Sequence, residues 1–115
     1  MNNINDQSEN LTPAVFYILL ALSRQDLHGY GIMKQVVEDS QNKIKMGPGT
    51  LYGSIQRMLK DKLVEEADGH AKDEERRKYY RITKLGTKAI GGELERYQSA
   101  IKVAKKLELM PSIKV

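Results

Sequence analysis

The sequence predicts a mainly α-helical domain with a small β-hairpin, an α+β fold, and three observations carry that expectation. Apolar residues recur at helical spacing in four separate segments of the 115 residues. Around residues 63–66 and 77–82 the period changes to strand-like alternation. Between those runs lies a polar, charged loop containing Gly69, the composition of a hairpin connection. The expected order is helix, helix, helix, strand, strand, helix.

Each element has its own signals. Residues 1–10 are polar with one isoleucine and read as a flexible tail. Thr12 followed by Pro13 is a helix start, a threonine cap and a proline at the first helical position. The helix that follows, to about residue 24, is apolar on nearly every side, so one face is expected against its own core and another against a partner subunit. Residues 25–28 read as a connector. A second helix over about 29–40 places Tyr30, Met33, Val36 and Val37 on one stripe, and Gly29 and Gly31 at its start suggest a tight turn or close packing. Residues 43–46 alternate polar and apolar, compatible with a very short strand. Gly47 and Pro48 open a third helix with Leu51, Ile55, Met58 and Leu59 on its apolar face. After the hairpin, Thr83 caps a final helix to about Leu109, with Pro111 as a stop. Along it Ile90, Leu94, Tyr97, Ile101 and Ala104 form the seam of a helix that packs on another helix, and Gly91 and Gly92 are candidates for a bend.

Composition narrows the function. A chain this short buries a modest core, so a second copy is a natural way to cover more apolar surface. It has no cysteine, which removes disulfides, thiol nucleophiles and cysteine-ligated zinc together. No run is long and apolar enough to span a bilayer, and the N-terminus lacks the pattern of a signal peptide, so a cytoplasmic protein without a membrane role is expected. The net charge of +4 is unevenly spread. Residues 43–60 hold Lys43, Lys45, Arg57 and Lys60 and no acid, whereas residues 61–71 hold four acids against one base. Residues 72–88 return to seven basic against three acidic. Two basic segments divided by an acidic one fit convergence on a polyanion, although solvated faces give the same count.

The third helix carries the sharpest signal. A helix that reads double-stranded DNA needs one face anchored and the other small or polar, since bulk near its N-terminus holds it out of the major groove. Gly49, Thr50 and Gly53 meet that need. Thr50 offers a hydroxyl and a methyl, Gln56 suits adenine, and Arg57 suits guanine or phosphate. Lys45, Lys60 and Tyr52 flank them, Tyr52 divided between packing and a phosphate contact. In the hairpin loop Lys72, Arg76, Arg77 and Lys78 are expected to track the DNA backbone, with Asp73, Glu74 and Glu75 neutralising part of their charge. At least one of Tyr79 and Tyr80 is expected in the core. Catalysis finds no footing: His28 and His70 have no metal-ligand spacing, no nucleophile–base set is evident, and Gly47-Pro48-Gly49-Thr50 lacks the lysine of a phosphate-binding loop. His70 is expected at an exposed loop tip. No cofactor and no metal are expected.

Three motifs in order, Leu27-His28-Gly29-Tyr30-Gly31-Ile32, Gly47-Pro48-Gly49-Thr50-Leu51-Tyr52 and Arg77-Lys78-Tyr79-Tyr80-Arg81-Ile82-Thr83-Lys84-Leu85-Gly86, resemble the PadR family of winged-helix transcriptional regulators. The resemblance covers residues 11–109. It implies a winged helix-turn-helix DNA-binding domain over 11–83, a dimerisation helix over 84–110, a tail over 111–115, and a homodimer that represses from an inverted-repeat operator. It also implies DNA contacts from Gly49, Thr50, Tyr52, Arg76, Arg77 and Lys78. The first and last helices, through Val15, Phe16, Leu19, Ile90, Leu94, Tyr97, Ile101 and Ala104, are the implied dimer interface. Family members often have serine before Pro-Gly-Thr; Gly47 here removes that capping hydroxyl. A short single C-terminal helix matches members that bind flat hydrophobic compounds between subunits, so a small hydrophobic effector is an implied partner, with plain dimer packing the stronger reading of the first helix. The competing function is a winged-helix module that docks on protein and binds no DNA.

Overall fold

A computed structural model describes residues 11–111, so the tail expected at 1–10 and all but Pro111 of the tail expected at 111–115 lie outside the described residues. The elements run α1 (Pro13–Leu22), β1 (Leu27–His28), α2 (Gly29–Asp39), α3 (Pro48–Lys60), β2 (Val64–Ala67), β3 (Tyr79–Ile82) and α4 (Lys84–Lys106). This is the expected α+β class with one strand relocated.

Local chemistry explains each start. The Thr12 hydroxyl accepts the Val15 amide at 3.2 Å, and Pro13 occupies the first turn, where its missing N–H leaves nothing unpaired. At α4 the Thr83 hydroxyl accepts the Gly86 amide at 3.0 Å. His28 caps α2: its Nδ1 accepts the Gly31 amide at 3.0 Å. By contrast α3 begins at Gly47 with no side-chain cap.

The core forms where the helical and strand periods meet. Ile18 and Leu19 of α1, Ile32 and Val36 of α2, and Leu51, Ile55 and Met58 of α3 are fully enclosed, closed over by Val64 and Tyr80 of the sheet. The α2 stripe differs from the expected one. Ile32 and Val36 carry its buried face, while Tyr30 is 58% exposed, because a start at Gly29 sets the inward phase at 29, 32 and 36. Tyr80 is the buried member of the tyrosine pair.

The sheet has three antiparallel strands in the order β1-β3-β2, with Leu27 opposite Tyr80 and Val64 opposite Ile82. The strand expected at 43–46 does not form. Gln41 and Asn42 adopt left-handed φ values of 55° and 68°, and the buried Ser40 hydroxyl takes the Ile44 amide at 2.9 Å, so the segment turns instead of pairing. Residues 27–28, expected as a connector, supply the third strand. Its two residues carry too little alternation to be visible in sequence. α4 runs unbroken through Gly91 and Gly92.

Candidate nucleic-acid interface

Leu51, Ile55 and Met58 bury one side of α3, which turns Gly49, Thr50, Gly53, Gln56, Arg57 and Lys60 to the surface, where all six are exposed. A β-carbon added at Gly47, Gly49 or Gly53 would meet no atom within 4 Å, so the chain's own packing does not require glycine there. No acid lies between Gly47 and Lys60. Lys45, Arg57 and Lys60 make no ion pair among the described residues. Tyr52 is 44% exposed, and its hydroxyl lies against the backbone of Gly29, which sets the start of α3 beside the start of α2.

The hairpin loop begins eight residues after α3 ends, and its cations divide into two groups. Arg77 is held by Asp73, with Nε 3.0 Å from Oδ2, and by Glu75 at 3.2 Å. Lys78 lies 3.6 Å from Glu66, and Arg81 lies 3.1 Å from Asp26. Lys72 and Arg76 remain exposed with no ion pair among the described residues. Arg77 and Lys78 therefore stand beside acids two to twelve residues away once the hairpin closes: Asp73 and Glu75, two of the acids expected to offset this charge, serve Arg77, and Glu66 serves Lys78.

His70 also departs from the expected exposed tip. Its ring stacks on Tyr79 with centroids 3.9 Å apart and planes within 5°, and Nε2 lies 3.1 Å from Asp26. Asp26, between α1 and β1, thus joins the loop to the body of the fold. Opposing the desolvation of its carboxylate, His70 and Arg81 bring its pKa below the ordinary carboxylate value. Nothing local in sequence links Asp26 to partners 44 and 55 residues away.

The residues named for a dimer interface separate by burial. Leu19 is fully enclosed by its own chain, and Phe16 and Ile90 are nearly so, which assigns them to the monomer core and leaves them little area for a partner. Val15 and Ala104 are half-buried. Leu94, Tyr97 and Ile101 are 43%, 41% and 42% exposed and share one face of α4. Tyr97 rests one edge of that face on Phe16, with ring centroids 5.3 Å apart.

The model of the PadR-like family of transcriptional regulators matches residues 18–91, from within α1 to within α4. The chain belongs to the PadR-like family. A PadR family transcription regulator from Clostridium difficile superposes with a TM-score of 0.70 at 25% identity, over 84% of this chain and 98% of that one. A transcriptional regulator from Clostridium thermocellum gives 0.66 at 30% identity, over 81% and 87%. An uncharacterised protein of Lysinibacillus sphaericus is 35% identical over 85 residues, 74% of this chain and 77% of that protein. PadR-like proteins are transcriptional regulators and not enzymes. Among the described residues of this member no helix is long and apolar enough to cross a membrane.

Proposed function

We propose that this PadR-like regulator is a sequence-specific DNA-binding repressor that acts as a homodimer on an inverted-repeat operator. The observation that carries the reading is the outward face of α3: small at Gly49 and Gly53, acid-free to Lys60, with Arg57 and Lys60 unpaired among the described residues. A surface with no internal reason for its glycines and no internal partner for its cations suits a close-fitting polyanion. The uncapped amides at the start of α3 add a favourable site for phosphate. In this reading Thr50 and Gln56 choose the sequence, while Lys45, Arg57, Lys60, Lys72 and Arg76 meet phosphates. Residues 11–83 form the DNA-binding unit and 84–110 the dimerisation helix. Two such units related by a two-fold axis read half-sites about 34 Å apart. A small hydrophobic compound between the subunits, near Val15, is the effector class that fits an apolar α1.

The test is capture of genomic fragments by the purified chain, followed by titration of the enriched duplex at several salt concentrations. Phosphate contacts require log affinity to fall against log salt with a slope of about −0.9 per phosphate. A flat response rejects the proposal. Thr50→Ala and Gln56→Ala are expected to change the ranking of sites, and Lys60→Ala to weaken all sites alike.

A further inference from the structure

The hairpin loop over residues 68–78 has no strand ladder of its own, yet it is densely tied to one side chain. Asp73 is 4% exposed at its side chain. Its Oδ1 accepts the Glu75 amide at 2.9 Å and an Arg77 Nη2 at 3.2 Å, and its Oδ2 accepts Arg77 Nε at 3.0 Å. The Asp73 amide donates to the His70 carbonyl, and the Arg76 amide donates to the Asp73 carbonyl at 3.0 Å, which closes a turn at the tip. Arg76 then adopts a left-handed φ of 53°, an unfavourable conformation for a residue with a β-carbon. That reversal sends Arg76 outward and brings Arg77 back to Asp73.

We infer that Asp73 and Arg77 form an internal strut that shapes the wing, and that Arg76, not Arg77, is the arginine the wing presents to DNA. Two planar groups paired through two hydrogen bonds give the strut its geometry, since guanidinium and carboxylate match edge to edge. The nearly enclosed carboxylate has a pKa lowered to about 2, with Arg77 as the leading cause, so it stays charged throughout the range in which the protein works. Arg77 is thus a positioning residue. Handing its guanidinium to a phosphate would strand Asp73 without its main partner, in the strong negative field of the duplex. The inference rests on the DNA-binding reading for its second half; the strut itself does not.

The strut and a competing arrangement, in which Asp73 merely masks a DNA-binding Arg77, predict opposite signs. By charge alone, Asp73→Asn removes a repulsive acid and should tighten DNA binding. If Asp73 shapes the wing, the same change weakens it. Binding would be followed with the full-length chain and a fluorescein-labelled mixed-sequence duplex of about 30 base pairs. Expected results are a several-fold loss for Asp73→Asn, a similar loss for Arg77→Ala, and no further loss in the double variant. Arg76→Gly suits the left-handed backbone and removes only the cation; it should flatten the salt slope by about 0.9. In a second measurement without DNA, a glutamate-specific protease should cut at Glu74 and Glu75 several-fold faster in Asp73→Asn and Arg77→Ala than in the parent, and no faster in Arg76→Gly. Tighter binding by Asp73→Asn, or unchanged cleavage in both strut variants, overturns the inference. Absence of any salt-dependent binding by the parent chain defeats the DNA reading and the role given to Arg76, while the protease rates still decide the strut.

Discussion

Gly86, in the first turn of α4, approaches the carbonyl of Leu63 so closely that a β-carbon added there would fall 2.2 Å from the oxygen. The same junction is drawn together by the Thr83 amide, which donates to the Leu63 carbonyl at 3.1 Å, and by the Thr83 hydroxyl, which donates to the Lys62 carbonyl at 2.7 Å. The obstacle is backbone and cannot swing aside. Gly86→Ala should therefore cost about 2–3 kcal/mol, as overpacking does. Urea unfolding checks the value, and Gly91→Ala is the control. Gly91 lies in the same helix with nothing within 4 Å of an added β-carbon, so alanine there should raise stability by up to about 1 kcal/mol. Equal effects at both positions would contradict the junction described.

The cap of α2 makes stability depend on pH. His28 accepts the Gly31 amide through Nδ1, which only the neutral ring can do. Burial pushes its pKa below the ordinary value, and the positive charge of Arg77 acts in the same direction. The fold therefore favours the unprotonated ring. Its stabilising contribution is fully present above the unfolded pKa of about 6.5 and is lost as pH falls through the lower folded value. Lowering the pH from 7.5 to 5.5 should lower the urea midpoint of the parent chain. His28→Asn keeps a capping acceptor without a proton to gain and should reduce that shift. An unchanged pH response in this variant would count against the cap as its source.

Much of this architecture was readable because it is periodic. Leu51, Ile55 and Met58 recur at helical spacing, and Thr12-Pro13 and Thr83 are local capping signals, so α1, α3 and α4 could be located from short windows of sequence. Neither β1 nor the Asp26 network could. Leu27 and His28 become a strand only because Tyr80 and Tyr79 arrive opposite them, and Asp26 finds His70 and Arg81 only after the chain has folded. The outward face of α3 was legible for the complementary reason, since fixing its inward residues fixes the rest. In the wing, charge could be counted but not paired. The run Asp73-Glu74-Glu75 beside the cations showed that part of that charge is offset internally, but not which acid holds which cation.

Gly29 and Tyr52 are coupled by contact. A β-carbon at Gly29 would lie 2.2 Å from the Tyr52 hydroxyl, but the ring is at the end of a partly exposed side chain and has room to leave. Gly29→Ala should thus displace the tyrosine while leaving the core intact, at a cost on the order of 1 kcal/mol. In a Tyr52→Ala background the obstacle is absent, and the same glycine change should be nearly neutral. A double-mutant cycle by urea unfolding measures the difference, and additivity of the two changes would show that the residues do not touch in solution.

The exposed face of α4 separates assembly from folding. Leu94, Tyr97 and Ile101 are each about two-fifths exposed, so a charge at Ile101 need not enter the monomer core. In a dimer built on this face it would be buried without a partner, a penalty of several kcal/mol. If the proposed dimer uses this face, the parent should sediment as a dimer and Ile101→Asp as a monomer at the same concentration, while the variant retains its helical circular dichroism. DNA affinity should fall further than one altered side chain explains. With two half-sites joined in one complex, the second contact is made at a high effective concentration, and losing that linkage costs roughly 10²–10⁴-fold. The variant should then bind a half-site and a full inverted repeat with nearly equal strength, whereas the parent should prefer the repeat. If the aspartate variant remains dimeric, the subunits meet elsewhere, and the two-fold arrangement of the α3 helices must be sought on a different surface.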